Sequence, residues 1–179
     1  MIPVALFGLD EAATDRFYAA LTDLTIDAYD DRRYLDTMFA IEGDLRLEHL
    51  HIIDQWADHD PMALPDEIVQ ELLITLDTVR YPDVSLLEHL LTLDGVDTVR
   101  LSHWLHFVTN VYPIHDPDAC QRLGELGLET PFRTDDIAAY GLYVERIEGL
   151  KEHAPAGALP EVPLPRQRLL QLGLAAWRA

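Results

Sequence analysis

The chain has 179 residues, enough for one domain with a sizeable core. It carries 32 acidic and 13 basic residues, a formal net charge of −19, and one cysteine, Cys120. That composition excludes a disulfide framework and a four-cysteine iron–sulfur cluster; with no bilayer-length apolar run and no signal-like N-terminus, the expected setting is cytoplasmic, without a membrane partner.

In chain order, the apolar stretch from Met1 to Gly8 is expected to pack onto the body. Asp10 is placed to cap a helix with Phe17, Leu21 and Leu24 on one face. A second helix from about Asp31 sets Tyr34, Leu35, Met38 and Phe39 on one side and is closed by Gly43. Asp44 is a cap for a third, in which Leu47, Leu50, Ile53 and Ala57 recur every three or four residues. Glu48, His51 and Asp54 fall on one helix face with His49 nearby, a pattern of a solvated side.

After the break at His59-Asp60-Pro61, Pro65, Asp66 and Glu67 start a helix with Ile68, Leu72, Leu76 and Val79 as its stripe. Ser85 and Glu88 have capping-box spacing for a short helix that follows. Asp116-Pro117-Asp118 reads as cap, first-turn proline and acid, for a helix ending near Gly124 or Gly127. Thr134-Asp135-Asp136 begins a long helix with Ile137, Tyr140, Val144 and Ile147 on one face and Tyr143 beside them. A proline-rich connection over 154–165 leads to a C-terminal helix over 166–178, with Leu169, Leu170, Gly173 and Trp177 available to dock. No alternating strand pattern or internal repeat occurs, so the predicted class is all-α: one globular domain, 1–179, of eight or nine helices.

The stretch from Leu90 to Asp118 organises the rest. Asp94-Gly95-Val96-Asp97 is a tight turn in which Gly95 takes positive φ most easily, and Asp97 or Thr98 caps the helix after it. Leu101, Trp104, Leu105 and Val108 share a face of that helix, and Tyr112-Pro113-Ile114-His115-Asp116 ends it. This outline resembles the helix-hairpin-helix DNA glycosylase superfamily, whose hairpin typically reads L-P-G-V-G and is followed about one helix later by a catalytic aspartate. The similarity covers 64–179, with its helix-hairpin-helix core at about 64–153.

The resemblance implies a DNA glycosylase-like fold, DNA as partner, and a catalytic role for Asp116 in stabilising charge at the sugar or activating water. It also implies that the backbone N–H groups of Asp94, Gly95, Val96 and Asp97 face a DNA phosphate. Three departures stand against that. Asp94 replaces the proline, Asp97 replaces the second glycine and sets a carboxylate where phosphate is expected, and Val99 stands near the lysine of lyase members. A DNA-repair activity here is therefore expected to be monofunctional base excision, or base binding, without lyase chemistry.

Around Asp116, Trp104, His103, His115 and Tyr112 are candidates to stack on an extruded base or line its pocket. Asp116 as a cap, Trp104 as core and the histidines as exposed or hydrogen-bonded groups are the structural alternatives. His103 and His106, joined by His115 or Asp116, have the spacing of two metal ligands, but no third is assured, and neither metal nor cofactor is expected. No glycine-rich phosphate loop, G-x-S-x-G or C-x-x-C motif occurs.

The charge bears on partners. Lys151 is the single lysine, and acid excess along the whole chain points to a halophilic protein, kept soluble by surface charge that salt screens. Such a surface repels a phosphate backbone unless arginines such as Arg100, Arg122 and Arg133 converge. The readings are a divergent glycosylase-fold protein acting on nucleic acid, and a catalytically inert acidic helical protein with protein partners or a homo-oligomeric state.

Overall fold

A computed structural model describes residues 4–178. The helices are α1 (Glu11–Thr25), α2 (Arg32–Ala40), α3 (Leu47–Trp56), α4 (Asp66–Thr78), α5 (Thr98–Thr109), α6 (Pro117–Glu125), α7 (Ile137–His153) and α8 (Arg166–Ala176). Three 3-10 helices accompany them, Val4–Leu6 before α1, Ile26–Ala28 after it and Ser85–Thr92 between α4 and α5, and the described residues contain no strand. The chain is all-α, in a single domain.

Aspartates set most of the helix starts. Asp10, Asp31, Asp97, Asp116 and Asp136 each accept from a first-turn N–H, at α1, α2, α5, α6 and α7 respectively. A short carboxylate on extended backbone satisfies a donor the helix leaves free, and its charge sits at the positive end of the dipole. α5 ends on Asn110 at φ 59°, whose N–H returns to the His106 carbonyl, so asparagine fills the left-handed closing position usually taken by glycine.

α8 lies against α1, α6 and α7; α3 bridges α2 and α5; and α4 packs on α5 and on the Ser85–Thr92 segment. A single apolar cluster runs through all of them, from Leu6 and Phe17 to Leu174 and Trp177. Phe17 meets Trp177 edge-on at 5.8 Å, and Gly173 lets α8 approach Leu21 and Phe17 more closely than any larger residue allows.

Several local expectations are corrected. α3 begins after Arg46 in extended conformation, so Asp44 is not its cap. The Ser85/Glu88 capping box does not form; Asp83 accepts instead from the Ser85 N–H and hydroxyl, and the segment winds as a 3-10 helix. In α2, Tyr34 and Thr37 face inward while Phe39, at a different angle around the helix, is 68 % exposed. Val69 rather than Ile68 is the first buried position of the α4 stripe. Of the N-terminal stretch, residues 1–3 lie outside the described residues, and Leu6 is buried against Gly149 of α7.

Candidate functional site

The turn before α5 is formed, with Gly95 at φ 78° and the Val96 N–H donating to the Leu93 carbonyl. Besides that Val96 N–H, two N–H groups at the start of α5 are taken by the protein itself. The Asp97 carboxylate accepts from the Arg100 N–H at 2.8 Å, and the Thr98 N–H donates to the Thr134 carbonyl at 2.8 Å. A helix start with two first-turn N–H groups filled from within offers less to a phosphate.

Behind the turn is a buried charge network. Arg100 reaches back from α5 to Asp54 of α3, Nε to Oδ1 at 3.1 Å and a terminal nitrogen to Oδ2 at 3.3 Å. Its other contacts are the Gly95 carbonyl, at 2.7 Å, and the Asp60 carbonyl. Trp104 Nε1 donates to the same Asp54 oxygen at 2.9 Å. One guanidinium thus ties the hairpin turn, α3 and the loop after it together. Arg100 is therefore not part of a DNA-facing patch; Arg122 pairs with Glu125 within α6, and Arg133, in the loop before α7, with the α7 cap Asp136.

Asp116 is half-buried at the start of α6. Oδ1 accepts from the Ala119 N–H at 2.9 Å, and Oδ2 accepts from Gln171 Nε2 of α8 at 2.8 Å. Gln171 in turn accepts from Arg168. The Arg168 guanidinium is buried and lies 5.6 Å from the ring centroids of both Tyr34 and Trp56, a cation–π arrangement. Asp116 is both a cap and the end of a polar line across α8.

Of the other sequence candidates, Trp104 is 1 % exposed and held by Asp54, so its ring is core and not a platform for a base. Tyr112 is fully buried, its hydroxyl donating to the Asp83 carbonyl at 3.0 Å. His115 is buried among Phe132, Tyr140 and Tyr143, with Nδ1 2.8 Å from the Thr98 hydroxyl and Nε2 without a partner. His103 is half-buried, its Nδ1 3.3 Å from His59 Nε2 rather than joined to His106. His106 is closed in, with Nδ1 donating to the Tyr112 carbonyl and Nε2 accepting from the Tyr34 hydroxyl. No group of three or more His, Cys, Asp or Glu is placed to hold a metal among the described residues.

Burial holds these histidines neutral. The His106 ring is pushed down to about 3 and the His115 ring to about 4, from 6.5, chiefly by loss of solvation. Unfolded, both titrate near their ordinary value, so the unfolded chain takes up protons that the fold refuses. Their contribution is complete above pH 6.5 and declines as pH falls towards 4, by roughly 1 kcal/mol per pH unit for each ring. Denaturant unfolding at constant salt between pH 7 and pH 5 measures it, and a flat profile contradicts the assignment.

Sequence reasoning missed Asp54, Gln171, Arg168 and Trp56. Asp54 had one signal: it stands one turn after Leu50, on the buried face. The other three become neighbours of the site through contacts between distant helices. A groove of about 860 Å³ lies elsewhere, between the end of α2, the start of α3, α4 and the end of α5, and contains none of the candidate residues. No protein-family model, curated protein or solved structure matches the chain, and no described helix is long and apolar enough to cross a membrane.

Proposed function

We propose that this chain is a non-catalytic, acidic domain of helix-hairpin-helix type that binds a protein partner. One observation carries the reading: the Asp116 carboxylate has both oxygens engaged by its own chain, while a groove opens away from it at the C-terminal end of α5. The engaged N–H groups of Val96, Thr98 and Arg100 and the internal Arg100 guanidinium point the same way, since a DNA backbone needs free donors and cations. In this reading the aspartate that resembles a glycosylase catalyst is a structural strut.

Asp116→Asn tests it. Asparagine keeps the cap, but its amide meets the Gln171 amide, so Gln171 must turn over and Arg168 loses its acceptor. The expected loss is about 1–2 kcal/mol, and Asp116→Asn with Gln171→Glu is expected to recover most of it. Wild type is expected to release no base from duplexes carrying several lesions, in salt where it is folded. Base release that Asp116→Asn abolishes overturns the proposal in favour of a glycosylase.

The high-salt setting belongs to the same proposal. With a net charge of −19, self-repulsion opposes the compact state at low ionic strength. The melting midpoint is expected to rise from low to molar potassium chloride, and a flat or falling midpoint removes this part.

A further inference from the structure

The groove at the end of α5 has an apolar floor and an acidic rim. Ile41, Leu45, Leu73 and Val108 are half-buried along it, and Ile74 is 62 % exposed at its edge. Glu42, Asp44, Glu48 and Asp77 stand around it, exposed, against the single cation Arg46. The α4 wall from Val69 to Asp77 is about 12 Å long at 1.5 Å per residue. That is room for two to three turns of a helix, whose i, i+4 and i+7 side chains make the usual contacts of helix-in-groove recognition.

Resting on the protein-binding reading above, we infer that this groove takes a short amphipathic helix of another protein, with apolar anchors and basic flanks. Charge selects that occupant. A second copy of the chain brings a further net charge of −19 towards the rim, its 32 acidic residues outweighing 13 basic ones. A nucleic acid is repelled by the rim and finds no use for the apolar floor. A basic helix satisfies both, with the floor supplying affinity and the rim orientation and specificity.

The probe is a fluorescein-labelled peptide of about fourteen residues, with leucine at i, i+4, i+7 and i+11 and lysine and alanine elsewhere. Its control has the same composition with the leucines scattered round the helix. Anisotropy is read at rising potassium chloride, because molar salt shortens general attraction to the acidic surface to about 3 Å. The patterned peptide is expected to bind at least about tenfold more tightly than the control, and Ile74→Glu to remove that advantage.

Glu42→Lys with Asp44→Lys is expected to weaken binding chiefly at low salt. Asp15→Lys with Asp23→Lys, the same charge change on exposed positions of α1, is expected to leave molar-salt binding unchanged. Ile74 is exposed, so loss of fold does not obscure its result; circular dichroism checks this. Equal binding of the two peptides, binding of neither, or insensitivity to Ile74→Glu overturns the inference. So does sedimentation as a dimer that Ile74→Glu dissolves, which gives the groove to a second copy. Each result is independent of base release, the observation that overturns the protein-binding reading itself.

Discussion

Asp54→Ala is expected to lower the folding free energy by about 3–5 kcal/mol, the range for removing one partner of a buried ion pair. The carboxylate is buried, and it is the acceptor for both Arg100 and the Trp104 indole. Without it, a guanidinium remains in the interior with only the Gly95 and Asp60 carbonyls, and a buried N–H has no acceptor. Asp54→Ala with Arg100→Met removes the stranded charge and is expected to be less destabilised than Asp54→Ala alone. Recovery is incomplete, because the two carbonyls and the indole stay unpaired. Denaturant unfolding of the two singles and the double gives the coupling, and simple additivity argues against the network.

Gly127→Ala is the second large effect. Gly127 has φ 80° just after α6, and the Asp10 N–H donates to the Leu126 carbonyl beside it at 2.8 Å. A Cβ on Gly127 runs into the Gly8 carbonyl oxygen and comes within 3.2 Å of the Asp10 nitrogen. These are backbone atoms, and Asp10 is the cap of α1, so relief requires the α1 entry to move. The left-handed backbone alone costs about 1–2 kcal/mol for a residue with a Cβ, and the collision adds to it. Gly157→Ala supplies the comparison: its φ is 81° but its Cβ meets nothing within 4 Å. Thermal melts are expected to place Gly127→Ala clearly below Gly157→Ala, and equal midpoints reject the collision.

The helix frame was legible because its signals are local. An aspartate before an amphipathic run, as at Asp10, Asp31, Asp97, Asp116 and Asp136, satisfies its donors within three residues. Where the interaction crosses the chain, legibility ended. Asp54 next to His51 and Gln55 reads as a solvated acid until α5 brings Arg100 beside it. In sequence Asp116 reads first as a cap and second as a catalyst, and only its second oxygen, held by Gln171 from α8, bears on the difference. Phe39 and Ser85 show the limit within short elements: two turns of sequence do not fix which side faces the core, or whether a segment winds as α or 3-10.

The seating of α1 against α8 governs the order in which this domain can be made. Phe17 is covered by Trp177 just beyond α8, and Leu21 lies against Gly173 of α8. During synthesis α1 emerges early with this apolar face uncovered, and its partner appears only after α2 to α7 have left the ribosome. The non-local closure of α1 therefore waits for α8. Until then Phe17 and Leu21 lack the Trp177 ring and the Gly173 surface that cover them in the fold.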